Sequence, residues 1–182
     1  VLDLMGASPG LVGSHDVVLC ALDNMAARVL LARLCRTAGI PIVEGTLGDT
    51  ADLFKVTMAT WPGSDGPCPE CILPAGLGDR AIASAVARGG CGYLGQQAAE
   101  QEGAPSTPMT SSILGGLMAM EALRVLHHAR SPGLPEGASG WPEPAWGSVV
   151  HWATQARETH VLRRSNPRPD CPWHDIPRTI PV

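Results

Sequence analysis

The spacing of hydrophobic residues changes period along this chain, and each change predicts an element. His15-Asp16-Val17-Val18-Leu19-Cys20-Ala21-Leu22 runs apolar without alternation, as a strand buried on both faces does in a parallel sheet, and Asp23 ends it. From Asn24 to Thr37 the apolar Ala27, Leu30, Leu31 and Leu34 recur at helical spacing, and Gly39 supplies a C-terminal stop. Ile40 to Glu44 is a second short apolar strand, closed by Gly45. Strand, crossover helix and strand of this length predict a right-handed βαβ unit.

Downstream the pattern shifts toward shorter elements. Residues 53–60 alternate and predict another strand. The stretch from Pro62 to Pro74 is rich in turn residues, 79–88 reads as a short helix, and 89–108 as a long irregular loop. Thr107 and Pro108 provide an N-cap and a first-turn proline for a helix that continues to about His128. Its Ser111, Ser112, Gly115 and Gly116 are small enough for another backbone to approach closely. Residues 131–146, rich in Pro and Gly, predict a flexible loop, and residues 6–14 a shorter one. Residues 147–154 and 159–164 are expected to pair as antiparallel strands.

Length and composition add limits. At 182 residues the chain fits one domain, residues 1–182, with little room for a second core. Hydrophobic residues make up 45% of it and charged residues 16%, so part of the surface is expected to be covered by a partner or by more of the same polypeptide. A net charge of -4 gives no footprint for nucleic acid or an anionic membrane. No apolar stretch reads as bilayer-spanning and no signal peptide opens the chain, so the expected compartment is the cytoplasm. The chain begins at Val1, in what reads as the middle of an α/β unit, and a fragment lacking its N-terminal part is expected.

Six cysteines in a reducing compartment suggest metal binding and separate thiols more than disulfides. Cys68-x-x-Cys71 and Cys171-x-x-His174 each place two ligands on a tight turn, and together they offer the closed tetrahedral thiolate and imidazole shell of a structural zinc. Four protein ligands leave no open position for catalysis there. Asp23-Asn24 follows a buried strand, where open α/β sheets place ligands. A carboxylate there either holds Mg²⁺ on nucleotide phosphates or caps the following helix. Arg28, one turn on, either reaches a phosphate or lies on a solvated face. Cys91, among glycines in the long loop, is a candidate nucleophile or an ordinary thiol. Cys20 and Cys35 read as core, and the six histidines form no nucleophile and base pattern.

In order and spacing these residues resemble the ThiF/MoeB superfamily, which includes the ubiquitin-activating enzymes. The resemblance runs from Asp16-Val17-Val18-Leu19 through Asp23-Asn24 and Arg28, Glu44-Gly45, the Pro67 to Cys71 knuckle, Pro105 to Pro108 and the Gly116 to Leu123 stretch. It closes on Cys171-Pro172-Trp173-His174, where the family usually has a second C-x-x-C. It implies a Rossmann-like α/β fold, here an incomplete parallel sheet with C-terminal antiparallel strands and a zinc knuckle. It also implies Mg-ATP-dependent adenylation of the C-terminal carboxylate of a ubiquitin-like or sulfur-carrier protein, usually by a dimer. On this resemblance Asp23, Asn24 and Arg28 would bind the nucleotide, with Asp23 on magnesium. Cys68, Cys71, Cys171 and His174 would hold zinc, and Cys91 would be an acyl acceptor. The phosphate-cradling Gly-rich turn and its cationic partners do not occur in this sequence, and Ala32 stands where an asparagine is common. Two other expectations follow: a catalytically inactive, zinc-stapled partner subunit of an active enzyme, or a plain zinc-stapled binding module.

Overall fold

The computed structural model describes residues 10–49, 52–87, 107–130, 140–153, 158–163 and 166–174. Its centre is a mixed five-stranded sheet in the order β1 (Val18–Cys20), β2 (Ile42–Asp49), β3 (Asp52–Trp61), β4 (Ser148–Ala153), β5 (Glu158–Arg163). Only β1 and β2 are parallel; the other three pairings are antiparallel. The predicted β-α-β unit is therefore present, and antiparallel strands extend it through the rest of the sheet.

Two helical layers cover the sheet. A turn of helix, α1 (Gly10–Gly13), stands where the sequence predicts loop, and α2 (Met25–Ala38) crosses from β1 to β2. Asn24 caps α2 by accepting from the Ala27 N–H at 2.8 Å, and Gly39 ends it at φ +74°, a left-handed conformation that glycine adopts without steric cost. The buried side of α2, with Ala32 and Cys35, packs on Cys20, Ile42, Ala59, Trp61 and Val149. A third helix, α3 (Leu77–Ala87), lies against α2.

The opposite face of the sheet carries α4 (Pro108–Arg130). Thr107 and Thr110 cap its start reciprocally: each backbone N–H donates to the other's hydroxyl at 3.1 Å. Leu114, Met118 and Val125 pack on Val43, Val56 and Met58. Gly45 lies beneath this contact, and a Cβ there would collide with Met118 and Leu114. The glycine that reads as a strand end is thus the point where helix and strand approach most closely, and β2 runs on through it to Asp49.

Two sequence expectations change. Leu19 is exposed because β1 borders the described sheet, so the strand is not buried on both faces. In addition, α4 does have the length and hydropathy of a membrane span. Yet its Leu114, Met118, Ala122 and Val125 are buried, and Glu121 between them is fully inaccessible, as in a helix of a protein core. Of the predicted 131–146 loop only residues 140–146 are described.

Candidate metal centre and ligand edge

Two distant turns bring four ligating side chains together. Cys68 precedes and Cys71 ends a single 3₁₀ turn, Pro69–Cys71, in which the Cys71 N–H bonds to the Cys68 carbonyl. Cys171 and His174 sit on a second turn, closed by His174 N–H to Cys171 O. One ligand atom from each of the four residues falls within 4.8 Å of every other. The Cys68 sulfur is 3.7 Å from both Cys71 Sγ and Cys171 Sγ. A tetrahedral ion with metal–sulfur bonds of about 2.3 Å requires sulfur–sulfur edges of about 3.8 Å, so Cys68 stands at a coordinating separation from both other thiols.

The electrostatics also suit a cation. Burial pushes the Cys68 thiol up, and its two sulfur neighbours push it further; burial likewise raises Cys171. For Cys71 burial acts upward too, but N–H groups of Arg168 and Cys68 directed at its sulfur bring it below the ordinary thiol range. Several buried thiolates this close need a positive ion, and loading one displaces their protons.

The imidazole carries a constraint of its own. His174 Nε2 is 3.0 Å from Cys71 Sγ, while Nδ1 is 2.7 Å from an Arg36 guanidinium nitrogen. An ion on Nε2 leaves the ring proton on Nδ1, and arginine can only donate. Arg36 must therefore withdraw from Nδ1 when the cluster is loaded. It also bonds the Gly66 carbonyl at 3.2 Å, which gives it an anchor on the same knuckle.

Helix α2 holds both turns. Arg33 binds Glu70 with two nitrogens at 2.7 and 2.9 Å, pairs with Asp79 at 2.7 Å, and lies over the Trp173 ring. Arg168 donates to the Leu73 carbonyl and so ties the second turn to the first. Sequence reasoning did not single out Arg33, Arg36 or Arg168, because their partners lie far away in the chain.

The nucleotide candidates lie at the carboxyl end of β1. Asn24, and not Asp23, caps α2, which leaves the Asp23 carboxylate exposed at the turn, where among the described residues it has a 3.4 Å contact from Asn24 Nδ2. Arg28 points inward: its three guanidinium nitrogens donate to Leu22 O at 2.7 Å, Thr46 Oγ1 at 2.7 Å and the Gly45 carbonyl. It joins the end of β1 to β2 through three of its five N–H groups. Cys91 lies outside the described residues. Cys20 and Cys35 are buried, and burial raises both thiols, Cys35 to about 12, as core cysteines require.

Comparisons with known proteins bear on the family and the fold. The sequence profile of the ThiF family matches residues 7–173. The molybdopterin-synthase adenylyltransferase of Escherichia coli (strain K12) is 27% identical over 156 residues, which is 84% of this chain and 49% of that protein. The SAMP-activating enzyme E1 of Haloferax volcanii is 41% identical over 64 residues, 35% of this chain and 22% of that protein. Among solved structures, E. coli MccB superposes with a TM-score of 0.61 at 10% identity, covering 95% of this chain and 43% of that one; at such identity the likeness shows the fold alone. This chain spans about half the length, or less, of the curated relatives it matches.

Proposed function

We propose a function from one premise: this chain belongs to the ThiF family, whose profile matches residues 7–173. The chain is read as the C-terminal portion of an ATP-dependent adenylyltransferase that activates the C-terminal carboxylate of a ubiquitin-like or sulfur-carrier protein. The extent of the family match carries this reading. It is supported by relatives named as a molybdopterin-synthase adenylyltransferase and a SAMP-activating E1. In this reading the phosphate-cradling glycine-rich turn belongs to a part of the protein upstream of residue 1, and the enzyme works in the cytoplasm.

Each site residue then has a role. The exposed Asp23 carboxylate is a hard oxygen ligand suited to the magnesium of bound ATP, and that ion would stabilise charge on the phosphates. Asn24 fixes the turn by capping α2, and Arg28 completes the nucleotide edge while bracing it against β2. Cys68, Cys71, Cys171 and His174 hold a structural zinc that fastens the C-terminal segment to α2. Cys91 is the candidate acyl acceptor for a step after adenylation. The test is ATP–pyrophosphate exchange by the protein that carries this chain, with a ubiquitin-like carrier ending in glycine. Exchange that depends on the carrier and on Asp23 supports the reading; no carrier-dependent exchange overturns it.

A further inference from the structure

Past the first turn of α2, the face of the sheet beneath it opens into a cavity of about 270 Å³. Its walls are apolar, with Met25 and Val29 from α2, Trp61 from β3, and Ile72 and Leu73 beyond the cysteine turn. Two rows of facing residues cross its floor: Glu44, Ala59 and Val149, then Thr46, Thr57 and His151. A cavity of about 150 Å³ already accepts benzene, so this one suits a single ring or an amino-acid side chain.

Its hydrogen-bonding capacity is unequal. The guanidinium of Arg28, the one arginine or lysine among the described lining residues, spends three of its five N–H groups on Leu22 O, Gly45 O and Thr46 Oγ1. Trp61 Nε1 donates to Glu44 Oε2 at 2.9 Å, and Glu44 Oε1 receives no donor among the described residues. Thr57 Oγ1 and His151 Nδ1 lie 2.9 Å apart. Burial pushes the Glu44 carboxyl up, against the Trp61 bond and the Arg28 charge, and pushes the His151 imidazole down, aided by Lys55 and His160. Glu44 Oε1 is therefore a carboxyl oxygen without a donor among the described residues, at the bottom of an apolar well whose Thr46, Thr57 and His151 are neutral.

We propose that this cavity is a binding site for a primary amine carried on a compact apolar ring or branched chain, with the nitrogen placed on Glu44. An ammonium brings three donors and a positive charge to the free carboxylate oxygen. A carboxylate or phosphate placed on the same oxygen would meet the Glu44 carboxyl group and bring it no donor. The proposal concerns binding without nucleotide: the cavity shares Arg28 with the nucleotide edge, but the readout does not depend on adenylation.

Benzylamine is the probe, and benzoate is its counterpart of opposite charge. The readout is the indole N–H resonance of Trp61, which donates to Glu44. Benzylamine should shift it with a Kd in the millimolar range, and benzoate should not shift it at ten times that concentration. Glu44→Gln should weaken benzylamine at least tenfold. Ala59→Leu, which fills the floor and keeps Glu44, should abolish binding; thermal melts establish that each variant is folded. Should Glu44→Gln fail to fold, Ala59→Leu decides. Benzoate binding as tightly as benzylamine, undiminished binding in either folded variant, or an unmoved Trp61 resonance overturns the proposal.

Discussion

The guanidinium carbon of Arg33 lies 4.1 Å from the centre of the Trp173 ring. Trp173 stands between Cys171 and His174, while the same guanidinium grips Glu70, between Cys68 and Cys71. One side chain of α2 thus touches both turns of the metal cluster. The Arg33 and Glu70 side chains are only 14% and 12% exposed, so their pair is worth more than a surface bridge, though less than a fully buried one. Arg33→Ala should cost about 2 kcal/mol in thermal or denaturant unfolding. Arg33→Lys should recover only part of this, because an ammonium lacks the planar fork that serves Glu70 and Trp173 together. Full rescue by lysine would show that charge alone matters.

The cluster is expected to hold about one zinc per chain. Removing it with a chelator, or breaking it with Cys68→Ser, should lower Tm by roughly 10 °C or more, since structural zinc contributes directly to folding. The pH dependence has a definite sign. Cys68 and Cys171 sit above the ordinary thiol range, so protons compete with the ion, and affinity should fall as pH falls. Metal-free protein on elemental analysis, with Cys68→Ser as stable as the parent, would remove zinc from the structure.

Local signals were sufficient for much of this. Asn24 and Gly39 bound α2, Thr107 and Pro108 open α4, and the two x-x spacings name the four cluster residues. What stayed illegible depends on distant pairing. Gly45 reads as a strand end until Met118 and Leu114 are found above it. The bracing contacts of Arg28 stay hidden until the register of β2 brings Gly45 O and Thr46 to it. The cavity floor joins Glu44, Ala59 and Val149 from three strands, and no window of sequence contains all three.

Glu121 shows the same limit. It reads as one residue of a family stretch, yet its carboxylate is fully buried and accepts from Thr60 Oγ1 at 3.1 Å, Arg124 at 2.9 Å and the Ala145 N–H. It therefore pins α4 to β3 and to the segment entering β4. Glu121→Ala would leave the Thr60 hydroxyl, the Ala145 N–H and Arg124 without their acceptor. Unfolding measurements should show a loss of about 3–5 kcal/mol. Glu121→Gln, which keeps one acceptor oxygen, should lose less. Equal losses in the two variants would mean that packing volume, and not the hydrogen bonds, sets the cost.

On the outer side of α4, Met109, Ile113, Met120 and Leu123 are 48 to 67% exposed. With Gly116 they recur at alternating steps of four and three residues, the spacing of a helix-packing seam. Nothing lies within 4 Å of a Cβ built at Gly115 or Gly116, so a second helix could approach there. Self-association through this face is expected, and Ile113→Glu with Met120→Glu should reduce it at least tenfold in sedimentation or light scattering. A parent protein that stays monomeric at high concentration would rule this use of the face out.

The sharpest test of adenylation is Asp23. Its carboxylate is exposed at the carboxyl end of β1, where α/β sheets place their ligands, and it does not cap α2. Since the Asn24 side chain supplies that cap, Asp23→Ala should leave folding and metal content unchanged. Charge builds on the phosphates as pyrophosphate leaves, so losing a magnesium ligand should lower ATP–pyrophosphate exchange by about a hundredfold or more. Asn24→Ala gives the contrast: a loss of about 1 kcal/mol in stability, with exchange reduced only as far as the turn loosens. Cys91→Ala should keep the exchange and lose only a later acyl transfer. If Asp23→Ala exchanges at the parental rate, its carboxylate has no part in adenylation, and the nucleotide edge must be sought elsewhere on the protein.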